Sequence, residues 1–342
     1  MKKTITDIAK EANVSVTTVS FVLNNKTETV SDKTAERIRK IAAKYHYAPN
    51  HMAIGLVTKK TKTIGLIVPD ISNNFFSELA KSVEEHCNNS GYSLVLSNTN
   101  NQPQKDFEMV ELMNNRGIDG LLIAFSQTDK DGEKDRFVNM LEQMDRPVVA
   151  VDSKLEGITL PGVSIDHAKG GYIATKHLLD LGHKRIGCIT GPDNFYTAER
   201  RLLGYREALE SKNIPYDDNL VIAGNYQYQG GYEAAKILLK QNVSAIFASN
   251  DLMAYGAYRA IQEADLSIPK DISVVGFDDL VFSEILTVPL TTIHQSTGEL
   301  GKKAWELLHE RLDNKNTGAD YVELEPSMVI RNSTSRYKEA SV

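Results

Sequence analysis

The stretch Thr4-Ile5-Thr6-Asp7-Ile8-Ala9-Lys10-Glu11-Ala12-Asn13-Val14-Ser15-Val16-Thr17-Thr18-Val19-Ser20-Phe21-Val22-Leu23 contains two helix starts in quick succession. Thr4 carries the side-chain oxygen that an N-cap needs, and Asp7 puts a carboxylate in the first turn, where the helix dipole favours it. Ile8, Ala9 and Ala12 recur on one face, so the first helix runs to about Glu11. Asn13 tolerates the left-handed backbone of a tight turn. Ser15 caps a second helix, Val16 to about Leu23, with Val19, Val22 and Leu23 turned inward. Two short helices joined this closely are a helix-turn-helix. Ser31 caps a third helix, in which Ala35, Ile38, Ala42 and Tyr45 fall at helical spacing, and three such helices make a minimal core.

Charge separates this head from the remainder of the chain. Residues 1–62 hold 12 Lys and Arg against 5 Asp and Glu, a balance of +7, whereas residues 63–342 hold 27 against 40, a balance of −13. A basic head on an acidic body points to nucleic acid at one end only. With 342 residues, 41% hydrophobic and 25% charged, the chain is long enough for two or three globular domains. No apolar run approaches the roughly 20 residues of a membrane span, and no apolar signal segment follows Lys2-Lys3, so a cytoplasmic location without membrane attachment is expected. Cys87 and Cys188 sit in apolar-periodic segments without close metal-type partners and read as buried free thiols.

From Thr63 onward, short apolar runs alternate with amphipathic ones. Strands are expected at Ile64–Val68, Tyr92–Ser97, Gly120–Ala124, Val148–Val151, Ile186–Thr190, Leu220–Ile222, Ala245–Ala248 and Ile272–Phe277, with helices such as Asn74–Asn89, Ala168–Leu181 and Ala198–Lys212 between them. This alternation predicts parallel sheets with right-handed crossovers. Eight strands exceed one small lobe, so the fold class expected is an all-α head followed by two doubly wound α/β lobes, joined near residues 162 and 290. The final segment, with Thr291–His294, a helix Thr297–Leu312 and strands near Tyr321–Glu325 and Met328–Arg331, should cross between lobes.

Ligands of such folds bind outside the carboxyl ends of the strands. There the chain places Asn73, Phe75 and Phe76 after the first strand, Asp152 after the fourth, Arg201 after the fifth, Asn250 after the seventh and Asp278 after the eighth, with Gln295 after Thr291–His294. Each sugar hydroxyl both donates and accepts, so planar Asp, Asn, Arg and Gln side chains can pair with neighbouring hydroxyls, while aromatic rings cover the apolar ring faces. Each residue also has an ordinary explanation: Asn250 as a helix cap, Phe75 and Phe76 as core, Arg201 and Asp278 as surface charges. Their coincidence at successive strand ends is what points to a site. Catalysis is not expected: the chain has no Gly-x-Ser-x-Gly elbow, no phosphate-binding P-loop and no His-Glu-x-x-His. No metal or cofactor is expected either. His167, His177 and His183 read as structural, and the Asp278-Asp279 carboxylates diverge too much for an acid/base pair.

The run Thr6 to Ser20, with Val30-Ser31 and Tyr47-Ala48-Pro49-Asn50, resembles the opening of the lactose/galactose repressor (LacI/GalR) family. The resemblance implies a head over 1–48, a hinge helix and linker over 49–62 and a two-lobed effector and dimerisation domain over 63–342. Its first lobe would comprise about 63–161 plus 292–322, and its second 162–290 plus 323–335. Val16 to Phe21 would then enter the major groove, Val16 and Thr17 meeting base edges while Thr18 and Ser20 hold phosphates. The full DNA-contacting set would be Thr6, Ser15, Val16, Thr17, Thr18, Ser20, Phe21, Asn24, Asn50, Ala53 and Leu56. Leu56 matches the leucine that wedges into the minor groove. Phe21 stands where many relatives carry Arg, so the base it faces is read differently. Ile54, Gly55 and Val57 depart from the usual hinge residues.

The body is similar to periplasmic sugar-binding proteins and most resembles a ribose-repressor effector domain. This adds Tyr226 to Asn73, Phe75, Phe76, Asp152, Arg201, Asn250, Asp278 and Gln295 as effector contacts. Ser153 replaces an Arg found in ribose-binding relatives. The resemblance implies a homodimeric repressor of a sugar-utilisation operon, bound to a palindromic operator and controlled by a small sugar, a pentose such as ribose first. The alternatives are a purine effector or a phosphorylated carrier protein. The C-terminal stretch shows no leucine heptads, so no tetramerisation helix is expected.

Overall fold

The computed structural model describes residues 3–23, 30–47, 60–126, 133–154, 159–193, 195–313 and 321–338. Asn24 and the expected hinge segment with Asn50, Ala53 and Leu56 lie outside them. The chain divides into two units, Met1–Lys62 and Thr63–Val342.

In the first unit, α1 (Ile5–Ala12), α2 (Val16–Leu23) and α3 (Asp32–Lys44) form the head. Thr4 and Asp7 make a reciprocal capping box, and Asn13 ends α1 at φ 50°. Ser15 caps α2 by accepting from the Thr18 backbone N–H at 3.0 Å. Ile8, Ala9, Ala12, Val19, Val22, Ala35 and Ile38 close the core, and Lys44 ties α3 to Glu11 of α1 at 2.8 Å.

The second unit holds two six-stranded sheets. The first contains β1 (Thr63–Val68), β2 (Ser93–Asn98), β3 (Gly120–Ile123), β4 (Val148–Val151), β5 (Gly162–Ile165) and β11 (Tyr321–Leu324), in spatial order β11-β5-β4-β3-β1-β2. The second contains β6 (Ile186–Thr190), β7 (Val221–Ala223), β8 (Ala245–Ala248), β9 (Ser273–Asp278), β10 (Thr291–His294) and β12 (Ser327–Val329), in order β12-β10-β9-β8-β6-β7. One order is thus used twice. All pairings are parallel except β10 with β12. β1, β3, β4, β6 and β8 are buried nearly throughout, as strands covered on both faces by helices must be.

The helices are α4 (Asn74–Asn89), α5 (Pro103–Asn115), α6 (Glu133–Glu142), α7 (His167–Asp180), α8 (Tyr196–Glu210), α9 (Tyr228–Leu239), α10 (Asp251–Glu263), α11 (Val281–Ile285) and α12 (Thr297–Leu312). The crossings between lobes depart from the expected ones. Gly162–Ile165, assigned by sequence to the second lobe, pairs with β4 and β11 of the first sheet. Thr292–His294, assigned to the first lobe, pairs with β9 and β12 of the second sheet. The chain therefore crosses just after residue 165, returns before α12, and crosses again between β11 and β12. Tyr321–Leu324 belongs to the first lobe throughout, although the expected boundary split it. Sheet membership depends on distant pairing partners, which the local pattern of these short strands does not encode.

Candidate functional site

Both sheets turn their carboxyl ends toward a cleft between the lobes. It is a concave space open to solvent and lined from both lobes, so the lobes are not packed solid against each other. Its wall brings together eight of the residues singled out by sequence: Asn73, Phe75, Phe76, Asp152, Arg201, Tyr226, Asn250 and Asp278. Gln295 does not reach the wall; it stands behind Asp278 and donates from Nε2 to Oδ1 at 2.6 Å. Phe125, Phe195 and Tyr196 also line the cleft and were missed. Phe125 was findable, because it follows β3 just as Asp152 follows β4.

The first lobe supplies most of the apolar surface. Asn73 caps α4 by accepting from the Phe75 N–H at 3.1 Å, which sends Phe75 and Phe76 into the cleft edge to face, centroids 5.0 Å apart. Phe75 is also core. Ser153 is occupied within its own lobe, accepting from the Phe125 N–H at 2.9 Å and donating to the Val151 carbonyl at 3.2 Å.

The second lobe supplies the cation Arg201 and the carboxyl of Asp278. Arg201 is buried rather than solvated. Its guanidinium stacks over Phe277 at 3.8 Å, donates to the Ser249 carbonyl, and lies 3.9 Å from Asp278 Oδ1. The helix start that carries it is pressed against α7, because a Cβ on Gly171 would collide with the Arg201 carbonyl. Burial pushes the Asp278 carboxyl well above the usual carboxylate range, against the opposing pull of Arg201. Its neighbour Asp279 turns away to Arg331 at 2.7 Å and His294 at 2.9 Å. Asn250 is spent as a cap: Oδ1 accepts from the Met253 N–H at 2.9 Å and Nδ2 donates to the Tyr226 carbonyl at 2.9 Å. Tyr226 shares its hydroxyl with Thr197 at 2.8 Å.

Four wall residues adopt positive-φ backbone: Asn101 at φ 55°, Asp152 at φ 57°, Tyr226 at φ 62° and Asp278 at φ 118°. Such conformations cost a non-glycine residue of order 1 kcal/mol or more and cluster where function demands them. On the wall, Asp278 Oδ2 is buried with no hydrogen-bond partner in the protein, and Asp152 Oδ1 has only His167 Nε2 within reach. Polar groups so placed are normally satisfied, so this wall is built to receive a hydrogen-bonding guest. His167 also stands here, with Nε2 3.0 Å from Asp152 Oδ1. His177 and His183 instead hold Thr334, Ser244 and the Ser335 carbonyl. Among the described residues no cluster of three metal-ligating side chains occurs, and no helix is long and apolar enough to cross a membrane.

On the head, Thr6, Ser15, Val16, Thr17 and Phe21 face solvent, Val16 and Phe21 each at 40% exposure, while Thr18 and Ser20 are half-buried. Phe21 therefore points outward from α2 and not into the core.

A helix-turn-helix head followed by twin α/β lobes around a polar cleft defines a DNA-binding regulator with a small-molecule-sensing body. The model for periplasmic binding proteins and the sugar-binding domain of the LacI family matches residues 61–330, and that for bacterial regulatory proteins of the lacI family matches residues 4–50. The chain is 37% identical over 333 residues to the HTH-type transcriptional repressor PurR of Photobacterium profundum, covering 96% of this chain and 98% of that one. It superposes on the Lac repressor dimer bound to operator and the anti-inducer ONPF with a TM-score of 0.88 at 27% identity, covering 98% and 100% of the two chains. A LacI-family regulator from Enterococcus faecium with bound ribose matches at 33% identity and a TM-score of 0.73, covering 81% and 100%. The chain belongs to the LacI family: it is a DNA-binding transcriptional regulator with a sugar-binding-type domain, and its named relatives are repressors and not enzymes.

Proposed function

We propose that this protein is a homodimeric repressor of a sugar-utilisation operon, released from a palindromic operator when a small sugar, a pentose such as ribose first, binds between the lobes. The observation that carries the reading is the pair of buried carboxylates, Asp152 from the first lobe and Asp278 from the second. Asp278 keeps an oxygen without a protein partner, Asp152 Oδ1 meets only His167 Nε2, and Arg201 stands beside Asp278 between aromatic walls. Carboxylates accept from vicinal hydroxyls, Arg201 donates to a ring or hydroxyl oxygen, and Phe76 and Tyr226 cover the carbon faces. The ribose-bound relative supports a pentose. A ligand touching both lobes favours one lobe arrangement, and its differential affinity for the two arrangements is the whole of its control.

In this reading residues 1–48 bind DNA through Thr6, Ser15, Val16, Thr17, Thr18, Ser20, Phe21 and Asn24. Residues 49–62 form the hinge, with Asn50, Ala53 and Leu56 at the minor groove. Two-fold protein reads two-fold DNA. The exposed apolar side chains Val281, Phe282 and Ile285 of α11 suit burial against a second copy, and the Lac repressor that this chain superposes on is a dimer. A nucleobase is the second reading, favoured by the rings lining the cleft, which would stack on a flat heterocycle.

Calorimetric titration with pentoses, hexoses, disaccharides, guanine and hypoxanthine separates the two. Heat with a sugar and none with a purine is expected; the reverse overturns the sugar reading. Leu56→Ala tests the hinge. It should weaken operator binding about tenfold or more while leaving nonspecific DNA binding within about twofold, since only the kinked complex uses the wedge. Equal losses on both DNAs would remove Leu56 from the minor groove.

A further inference from the structure

His167 is the first residue of α7, directly after the chain leaves the first lobe, and it touches one cleft-facing residue from each lobe without lining the cleft itself. Its Nε2 lies 3.0 Å from Asp152 Oδ1, and its Nδ1 accepts from Arg201 Nε at 3.4 Å and Nη2 at 3.3 Å. We propose that His167 is a positioning residue: as a neutral imidazole it donates from Nε2 to Asp152 and accepts at Nδ1 from Arg201, holding the two in register for one ligand across the cleft. The proposal rests on the cleft being the effector site.

The tautomer is set by the neighbours. Two guanidinium N–H groups aim at Nδ1, so a proton there would face a cation. Nε2 and Asp152 Oδ1 are both buried and have no other partner in the protein, so each is the group available to satisfy the other. The charged groups acting on the ring are Asp152, Arg201 and the N-cap Asp166, and burial holds the imidazole below its ordinary pKa. Phe277 and Tyr196 fix the ring plane, with centroids 6.1 and 6.3 Å away. The helix start has no slack, since Gly170 packs on Phe277 and Gly171 on the Arg201 backbone. A shift of one lobe against the other therefore moves Asp152 relative to a ring anchored on Arg201.

The test uses the full chain, H167L and H167Q, with D-ribose as the probe. Leu fills the space but neither donates nor accepts; the Gln amide does both. H167L should bind ribose about tenfold more weakly or worse, because it orphans two buried groups, and H167Q should stay within about threefold. A purely structural role would lower the melting temperature of both variants and leave affinity unchanged. H167L binding as tightly as the parent, or H167Q losing as much as H167L, overturns the proposal. The imidazole 15N spectrum of the parent, with the His167 signals identified by their loss in H167Q, should show a protonated Nε2 and a bare Nδ1 at pH 7. The opposite tautomer or an imidazolium overturns the proposal whether or not ribose binds. Absence of ribose heat with the parent protein counts against the pentose reading and leaves the spectral result to decide on His167.

Discussion

The two lobes repeat one strand order yet build their sides of the cleft differently. The first contributes Phe75, Phe76 and Phe125 with the carboxylates of Asp70 and Asp152; the second contributes the cation Arg201 with Asp278, Asn250, Tyr226, Phe195 and Tyr196. On the first side the wall is the core: Phe75 is 3% exposed and packs with Leu79, Val83 and Trp305 in one cluster. On the second side the wall lies on top of the core, with Phe277 beneath Arg201 and Gln295 behind Asp278. The apolar half of the site is therefore a by-product of folding. The polar half is held against folding, by a buried carboxylate and positive-φ backbone at Tyr226 and Asp278.

Substitutions that separate stability from binding can break this contrast. The largest effect belongs to Phe75→Ala, which should destabilise the chain by about 3–5 kcal/mol in urea unfolding and weaken the ligand as well, since a buried ring leaves both a cavity and a gap in the wall. Loss of binding at unchanged stability would show that the first wall is independent of the core. Next comes Asp278→Asn. It replaces an acceptor oxygen with an amide donor but keeps the shape, so sugar affinity should fall by about 1–3 kcal/mol. Its melting temperature should hold or rise, because a carboxylate disfavoured by burial is gone. Affinity equal to the parent protein would take Asp278 out of the site.

The sequence carried the elements well where one lobe decides them. Ile186–Thr190, Ala245–Ala248, Asn74–Asn89 and Thr297–Leu312 begin and end as the periodicity says, because their burial pattern and caps are local. The crossings at 162 and 290 were misjudged, and β5 was not seen as a strand. Its four residues carry no alternation, and its identity lies in pairing with Tyr321–Leu324, far along the chain. The strand-end rule drew the right residue types toward the cleft, but could not say which were occupied. Asn250 is consumed by its cap, Gln295 props Asp278 and Arg201 is buried. His167 read as an ordinary structural histidine, since nothing near Asp166-His167 announces a partner fifteen positions upstream.

The lobes also differ in a buried acid each carries away from the wall, and this gives the smallest effect. Asp106 in α5 accepts from the Ser126 N–H at 2.6 Å and the Ser126 hydroxyl at 3.1 Å, and burial raises its pKa to about 7. Asp251, first in α10, accepts from Leu280 N–H, Ser283 and Thr292 at 2.6–2.9 Å, and burial raises it only to about 6. Both folded-state values lie above the unfolded one, near 4. Each acid's contribution is therefore fully present below pH 4 and lost as pH rises through its folded pKa. Asp251 is the more nearly ionised of the two at neutral pH, so the first lobe should account for most of the loss between pH 6 and 7. Asp106→Asn keeps an acceptor for the Ser126 N–H and an amide donor for the Ser126 hydroxyl. Thermal melts from pH 4.5 to 8 should show the parent losing about 3 kcal/mol relative to the variant across that window, with the two closest at the acid end. Parallel curves would mean that Asp106 ionises no more reluctantly than Asp251, and the two lobes would then treat a buried acid alike.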